Sequence, residues 1–379
     1  DNTAGGVVAA GPNVASTAPT AVLPDHPTYR PTMAVRLDES DEYMHELGPE
    51  PNFNESMYIN AFDPAQGVGG WFRMGNRANE GTAEMTVCLY LPPEVEGGNR
   101  QVGFMFKRPA IENNDALDAA GLTWTMVTPF EELRIDYVGK VVVLDEPEQM
   151  ANPKQAFTNN PYAEAEIHLT FSGQGRPSMF GGEPDEPHEK PGEEFAKGHY
   201  EQLVEATGTM RVGEREWQIA GFGLRDHSWG PRYWQAPWYY RWLTVNVDEN
   251  FGFMASRVAK RDSEGSRGGF VWENGVMHLC DDVQITTETR GDERYHDRIE
   301  GTIRSSRSDR EWSFTGEALS LIPLRNRRQT PDGDWLQTRI SEAYTKWTIH
   351  SGDYEGRVGY GMSEYLDQII DDQPVGLAE

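Results

Sequence analysis

Residues 221–242 of this chain place titratable side chains directly beside a dense group of aromatic rings. The segment reads GFGLRDHSWGPRYWQAPWYYRW and carries four of the eleven tryptophans. Asp226 and His227 could donate or accept a proton, and the neighbouring indoles could stabilise positive charge on an apolar substrate. A core hairpin with packed rings and an Asp–Arg pair would have the same composition, so the segment alone leaves both interpretations open.

The direction of each side chain in this segment depends on strand alternation. If residues 221–225 form a strand, Asp226 and His227 point to opposite faces unless the chain bulges. A histidine that only bonds a backbone carbonyl is the simpler explanation of His227 alone. After Pro237, alternation predicts one almost wholly aromatic face. That face carries Trp238, Tyr240, Trp242 and Thr244, and the other carries Tyr239, Arg241 and Leu243.

Three further groups place acids beside aromatic rings. Glu364 lies among apolar and aromatic neighbours in residues 357–365, which could raise its pKa, although an arginine partner is the simpler alternative. Glu55 and Tyr58 form a second group in the segment NESMY. Trp272, next to Glu273, forms a third. Each of these signals is weak when taken alone.

Composition excludes several classes of function. The chain has 379 residues, a net charge of -27 and a mean hydropathy of -0.67. Such acidity repels phosphate backbones and anionic lipids, so we expect no nucleic-acid partner. No apolar run is long enough for a membrane-spanning helix, so we expect no integral membrane segment.

The cysteines and histidines give no metal-binding spacing. Cys88 and Cys280 are far apart, and no HExxH or two-His-one-carboxylate spacing occurs. We therefore expect no bound metal ion and no zinc site. Two cysteines favour a reducing, cytoplasmic location, but they leave a disulfide and a periplasmic or secreted location open.

The pattern of elements predicts an all-β chain. Short strand-like runs recur between turn signals, and no glycine fingerprint follows a strand, which argues against dinucleotide or P-loop folds. Hairpin turns are expected at Gly213 and at Asn274-Gly275, and another at Val138-Gly139. Short helices are expected at residues 200–205 and 365–370.

The sequence divides into an arm and two β domains. Residues 1–30 begin with a stretch of mostly small side chains and low sequence complexity, which predicts an extended arm. Residues 173–197 are rich in Gly, Pro and acid, which indicates a long surface loop. We therefore expect an N-terminal β domain at 31–200 that includes this loop, and a C-terminal β domain at 201–379.

The runs GLRDHSWGPR and GYGMSEYLD resemble the double-lipocalin superfamily. Its members include carotenoid 1,2-hydratases (hydroxyneurosporene synthases), AttH-like proteins, kievitone hydratase-like enzymes and lipocalin-type pericyclases. The resemblance implies two tandem lipocalin-like antiparallel β-barrels with few short helices, a hydrophobic pocket and no cofactor. It is carried mainly by the second half of the chain and by the Asp226–Gly230 motif.

The resemblance also implies roles for individual residues. Asp226 or His227 would be the acid, Glu364 or Glu55 a second proton carrier, and Arg232 an anchor for a substrate oxygen. Aromatic rings would face a carbocation. The implied substrate-binding residues are Trp229, Arg232, Trp238, Tyr239, Tyr240, Trp242, Glu55, Tyr58 and Trp272.

The function expected from this combination is a cofactor-independent hydratase, dehydratase or isomerase. Its partner would be a hydrophobic isoprenoid or polycyclic small molecule. Two alternatives stay open: a non-catalytic carrier of lipophilic ligands, and a pericyclase or cyclase that only shapes a reactive substrate. The fold does not choose among them, and a homo-oligomer stays open as well.

Overall fold

The computed structural model describes residues 35–173, 179–185, 194–261, 263–329 and 335–377. The predicted arm at 1–30 lies outside the described residues, and so do residues 174–178 and 186–193 of the predicted acidic loop. The described part of that loop contains a strand, Met179–Pro184.

Strands form most of the described chain, in two antiparallel sheets. The strands of the first sheet are β1 (Val35–Arg36), β2 (Phe53–Asp63), β3 (Val68–Arg77), β4 (Thr82–Leu91), β5 (Gln101–Lys107), β6 (Asp118–Ala119), β7 (Leu122–Thr128), β8 (Glu132–Leu144), β9 (Tyr162–Ser172), β10 (Met179–Pro184), β11 (Gly198–Val212) and β12 (Arg215–Pro231). Those of the second are β13 (Tyr239–Asp248), β14 (Phe251–Lys260), β15 (Ser263–Glu273), β16 (Val276–Cys280), β17 (Asp282–Arg290), β18 (Tyr295–Ser305), β19 (Arg310–Gln329), β20 (Trp335–Ile349), β21 (Val358–Ile370) and β22 (Gln373–Pro374). The α-helix α1 spans Pro153–Asn159, and 3-10 turns span Glu39–Glu42, Ala78–Glu80, Pro147–Ala151, Gly352–Tyr354 and Val375–Leu377.

The first sheet closes into a ring. Its order runs β11-β12-β2-β3-β4-β5-β8, and β9 pairs with both β8 and β11. Closure leaves no open edge along this ring and encloses a core of side chains. That core includes Met57, Ile59, Phe72 and Ile135, each at most 4% exposed.

The second sheet forms a half-barrel with the order β16-β15-β14-β13-β21-β20-β19-β18-β17. Its concave face carries a second core that includes Leu243, Val245, Phe253 and Trp347. Alternation along the central strands directs other side chains, such as Trp242, Tyr344 and Met362, to the opposite face, which lies against the first sheet.

The outer face of the ring packs against this second sheet. The rings of Phe62 and Tyr344 stack with centroids 4.8 Å apart, and the Tyr90 hydroxyl donates to the Glu342 carbonyl over 3.1 Å. Leu224 of the ring joins a cluster with Met254 of the half-barrel. The two sheets therefore share a buried layer between them.

The two curled antiparallel sheets confirm the all-β, tandem lipocalin-like prediction. The chain changes sheet at residues 232–238, later than the boundary expected at 200/201. β11 and β12 belong to the first sheet, because they pair with each other and β12 pairs with β2 at Phe222 and at residues 225–231. The Asp226–Gly230 motif, expected in the C-terminal domain, therefore lies in a strand of the first sheet.

Three local predictions are wrong. Residues 200–205 and 365–370 are strands rather than helices, since β11 pairs on both sides and β21 pairs with β13 and β20. No turn occurs at Val138-Gly139, because β8 continues through it and pairs with β9. A Cβ on Gly139 would lie 2.6 Å from the Tyr137 hydroxyl, so glycine here makes room for a ring rather than a turn.

Both cysteines are buried and free, so Cys88 and Cys280 form no disulfide. In the part of the chain that the structure describes, no helix has the length and apolar character needed to span a membrane.

Candidate functional site

The strand β12 positions the motif and sends its side chains to two faces. Its register with β11 is continuous, with no bulge, so alternation holds throughout. Trp217 and Ile219 join the core inside the ring, whereas Leu224 packs against the second sheet. Asp226 therefore faces the second sheet, and His227 faces the interior of the ring. The two adjacent residues serve different clusters.

The first cluster lies between the sheets and is called here the inter-sheet cluster. Cross-strand pairing puts Glu201, Asp226, Tyr58 and Arg73 in one row on the ring. A facing row on the half-barrel contains Trp242, Glu364 and Glu342. The rings of Tyr58 and Trp242 meet edge to face with centroids 5.4 Å apart, which joins the rows. The cluster as a whole comprises Tyr58, Arg73, His199, Glu201, Asp226, Arg232, Tyr240, Trp242, Glu342 and Glu364.

Asp226 is held by a neighbouring imidazole. The His199 Nε2 contacts the Asp226 carboxylate and lies 3.4 Å from Glu201 Oε1. Burial alone would lower the pKa of His199, but the Asp226 and Glu201 carboxylates raise it to about 10. The pair is thus an ion pair at neutral pH. The side chains of Asp226 and His199 remain 21% and 39% exposed, so this edge is open to solvent.

Glu201 links the two sheets. The Trp242 indole N–H donates to Glu201 Oε1 over 2.9 Å. The other oxygen, Oε2, is buried and has no hydrogen-bond partner among the described residues. Burial raises the pKa of Glu201, and His199 opposes that rise.

On the half-barrel, two carboxyl groups face each other. Burial raises the pKa of Glu364 to about 7, with Asp226 acting in the same direction, while a hydrogen bond from the Tyr240 hydroxyl opposes the rise. Burial and Glu364 together hold the pKa of Glu342 well above its ordinary value. Two neighbouring buried carboxyl groups cannot both ionise easily, so at least one keeps a proton near neutral pH.

Two arginines border this acidic group. The Arg73 guanidinium forms an ion pair with Glu84, with 3.2 Å between nitrogen and oxygen. Its Cζ lies 5.5 Å from the centroid of the Trp234 ring. Arg232 donates to Ser228 Oγ over 2.7 Å and packs over the Phe195 ring. Burial and the charge of Arg73 lower the pKa of Arg232 to about 10, so it remains a cation at neutral pH.

The second cluster lies inside the ring and is called here the inner cluster. His227 Nε2 is 2.6 Å from Glu55 Oε1, and His45 Nδ1 is 3.0 Å from the same oxygen. His45 stacks on the Trp229 indole with centroids 3.9 Å apart, and its Nε2 is 3.3 Å from Asp41 Oδ1. The inner cluster comprises Asp41, His45, Glu55, Asn114, His227 and Trp229.

Glu55 is ionised in this setting although it is fully buried. Burial would raise its pKa, but hydrogen bonds and charge from His227 and His45 lower it to about 2. Its second oxygen accepts from the His45 backbone N–H over 2.9 Å and from Asn114 over 3.4 Å. A buried carboxylate with this many donors is a stable anion.

Two sets of side chains could hold a metal ion. One contains His45, Glu55 and His227, and the other contains His199 with two carboxylates of the inter-sheet cluster. In each set the candidate ligand atoms lie within 4.8 Å of one another.

The structure divides the predicted site residues into three groups. Asp226, Glu364, Tyr58, Tyr240, Trp242 and Arg232 meet in the inter-sheet cluster, and His227, Glu55 and Trp229 meet in the inner cluster. The other three lie in neither. Trp238 packs under Arg261, Tyr239 lies beside Arg241 and Arg257, and Trp272 packs in an apolar cluster.

Sequence reasoning missed several members of both clusters. His45 lies in the segment between the Glu39–Glu42 turn and β2, where no periodicity marks it. His199 and Glu201 alternate in β11, a signal hidden by the helix predicted at 200–205. Glu342 and Arg73 belong to the inter-sheet cluster because their strands pair with those of Glu364 and Tyr58. No local pattern in the sequence shows these pairings.

Two cavities lie apart from both clusters. One, of about 380 Å³, is lined by residues that include Arg327, Trp335 and Asp371. The other, of about 110 Å³, is lined by residues that include Phe62 and Tyr360. Neither lining includes Asp226 or His227, so neither cavity opens onto these two titratable groups.

Comparison with known proteins identifies the family. Residues 38–369 match the model described as Domain of unknown function (DUF7064), and no curated protein matches the chain. The solved structure of CghA with Sch210972 aligns with a TM-score of 0.50 and 13% identity, over 87% of this chain and 96% of that one. A putative AttH from Nitrosomonas europaea aligns with a TM-score of 0.49 and 12% identity, over 89% and 98%. Kievitone hydratase from Nectria haematococca aligns with a TM-score of 0.49 and 9% identity, over 89% and 94%.

At this level of identity the CghA likeness concerns the fold alone. This likeness agrees with the two curled sheets, so the fold predicted from the double-lipocalin resemblance is confirmed. Since the family model spans most of the sequence, the chain belongs to the DUF7064 family and has a double lipocalin-like β fold.

Proposed function

We propose that this protein is a hydratase, dehydratase or isomerase that acts on a hydrophobic isoprenoid or polycyclic small molecule. The reaction would use acid–base chemistry of its own side chains in the inter-sheet cluster. One observation carries the proposal: Glu364, with a pKa near 7, lies in the same cluster as the Asp226–His199 ion pair. A protonated carboxyl group and a carboxylate thus occupy one site.

The chemistry follows from these protonation states. In hydration, Glu364 would donate its proton to one carbon of a C=C bond, leaving a carbocation on the other. Water would attack that carbon, and Asp226 would accept the proton that the water releases. Dehydration is the reverse, and loss of a proton from an adjacent carbon would give an isomerised alkene.

Aromatic rings and cations would position the substrate. The faces of Trp242 and Tyr58 can stabilise positive charge on a carbon next to Glu364. Arg232, at the edge of the cluster, can hold an oxygen of the substrate by charge-assisted hydrogen bonding. The partly exposed Asp226 and His199 mark the side from which a substrate would enter.

The test is turnover of a panel of tertiary and allylic isoprenoid alcohols and their alkenes, with gain or loss of water followed by mass spectrometry. We expect Glu364→Gln to lower turnover by at least about 100-fold, the usual contribution of general acid–base catalysis. Glu300→Gln, at an exposed position of β18, is the matched control and should leave turnover unchanged. Equal turnover in Glu364→Gln, Asp226→Asn and wild type would contradict the proposal.

The same variants separate the alternative functions. If Trp242→Ala abolishes turnover while Glu364→Gln and Asp226→Asn retain it, the protein shapes a reactive substrate, as a pericyclase or cyclase would. If ligands quench tryptophan fluorescence and are recovered unchanged, it is a carrier.

A further inference from the structure

We infer that His45, Glu55 and His227 form a binding site for a divalent transition-metal ion inside the first sheet. The site lies on the opposite face of β12 from the inter-sheet cluster, so it goes beyond the proposed acid–base chemistry. It also departs from the expectation, based on spacing, that the chain binds no metal. The three residues are too far apart in sequence for any local motif to reveal them.

The candidate ligand atoms converge on one point. His227 Nε2 and His45 Nδ1 both point at Glu55 Oε1, at 2.6 and 3.0 Å. Two imidazole nitrogens and one carboxylate oxygen form a ligand set typical of zinc and of other first-row divalent ions. Ligands at the corners of a tetrahedral zinc site lie about 3.3 Å apart, so the three side chains need to separate by less than about 1 Å.

The remaining polar atoms of two ligands are already held in place. His45 Nε2 faces Asp41 Oδ1 at 3.3 Å, so a metal-bound His45 could keep its N–H on Nε2 and offer Nδ1, which faces Glu55, to the ion. Glu55 Oε2 accepts hydrogen bonds from the His45 backbone N–H and from Asn114, which leaves Oε1 for the ion. Outer partners of this kind orient the ligands of a metal site. Two of the three ligands have them, whereas His227 Nδ1 is buried and has no hydrogen-bond partner among the described residues.

The surroundings favour a cation and allow it to enter. Glu55 and His227 are buried, and Asp41 adds a second carboxylate. Trp229 stacks on His45 and limits its rotation. The His45 side chain keeps 16% of its surface exposed, and it lies in the segment outside the strands, so an ion can reach Glu55 from that side. Three protein ligands leave a fourth position for water.

The test uses the full chain, stripped with a chelator and titrated with zinc chloride by calorimetry, with bound zinc measured by mass spectrometry. We expect a single zinc ion per chain, and no bound ion in His227→Gln or His45→Gln. Asp41→Asn should bind zinc about 10- to 100-fold more weakly, the usual cost of losing an outer partner. If His227→Gln does not fold, His45→Gln decides, because His45 lies outside the strands.

His168→Gln is the matched control, since His168 also lies between two carboxylates, Asp136 and Glu166, but on the surface. It should bind zinc as wild type does. The inference is overturned if wild type binds no zinc, or if His199→Gln removes the ion while His45→Gln retains it. In those cases the three side chains form only a hydrogen-bonded network, or the ion belongs to the inter-sheet cluster.

Discussion

The inter-sheet and inner clusters lie on opposite faces of β12, and each contains buried carboxyl groups with a perturbed pKa. In the inner cluster, hydrogen bonds and charge from His227 and His45 lower the pKa of Glu55 to about 2. Between the sheets, Glu364 lies near Asp226 and Glu342, and its pKa rises to about 7. Burial is common to both, so it is the partners that decide which carboxyl group keeps its proton.

This difference assigns different tasks to Asp226 and His227, although they are adjacent. Asp226 is partly exposed and belongs to the cluster in which Glu364 can donate a proton. His227 is 1% exposed and holds Glu55 in place. Strand alternation, which separates side chains by face, lets one short motif support a reactive site and the interior of the ring.

The largest expected effect separates these two tasks. Asp226→Asn should lower turnover of the substrate found by the panel by about 100- to 10,000-fold, because the proton acceptor is lost. Its free energy of unfolding should change much less than that of His227→Leu, in which the buried carboxylate of Glu55 loses a hydrogen-bond donor. Steady-state kinetics and urea unfolding of both variants check this. The expected difference is contradicted if His227→Leu lowers turnover as strongly while its stability stays at the wild-type value.

A second prediction concerns stability alone. Glu55→Ala removes the carboxylate that both histidines of the inner cluster contact, and it should cost about 3–5 kcal/mol, the range found when one partner of a buried pair is removed. Urea unfolding followed by tryptophan fluorescence measures this. Glu300→Ala, exposed in β18, should cost little. A loss below about 1 kcal/mol in Glu55→Ala would contradict the role given to the inner cluster.

A third prediction follows from the raised pKa values between the sheets. Below about pH 4.5 the folded and unfolded chains both keep the protons of Glu364 and Glu342. As the pH rises from there through 7, the unfolded chain releases these two protons while the folded chain retains them, so the contribution of the two groups to the free energy of unfolding falls. Glu342→Gln should flatten this decline, by at most a few kcal/mol at pH 8, since one pKa unit is about 1.4 kcal/mol.

Unfolding titrations at a series of pH values give the measurement. Glu300→Gln serves again as the control, and it should show the wild-type decline. If Glu342→Gln declines as steeply as wild type, the two carboxyl groups of the half-barrel are not coupled in the way described.

The smallest expected effect concerns the Tyr240 hydroxyl. Its hydrogen bond to Glu364 lowers the pKa of that carboxyl group, so Tyr240→Phe should raise it further. We expect the basic limb of the turnover profile to move up by less than about one pH unit. A shift in the opposite direction would contradict the assigned donor.

Local signals in the sequence predicted much of this arrangement. The hairpin at Gly213 is confirmed, because its φ of 59° suits glycine. The hairpin at Asn274-Gly275 is confirmed by the β15–β16 pairing, with positive φ at both residues. Alternation correctly predicted that Asp226 and His227 point to opposite faces, and that Tyr240 and Trp242 share one.

The rest of the arrangement depends on pairing between strands that are far apart in the sequence, so it could not be predicted from local patterns. Whether Asp226 or His227 faces the second sheet depends on β12 pairing with β2, whose residues are far away in sequence. The helical signal at 200–205 was overridden because β11 bonds to strands on both sides. His45 reaches Glu55 from an irregular segment, so no periodicity could have placed it.

The pKa of Glu364, measured by carbon NMR of the labelled carboxyl groups in wild type and in Glu364→Gln, tests its role as the acid most directly. We expect a carboxyl signal that titrates at about pH 7 in wild type and is absent from the variant. A Glu364 signal that titrates at the ordinary value of 4.5 would contradict this role, because the site would then hold no proton to donate near neutral pH.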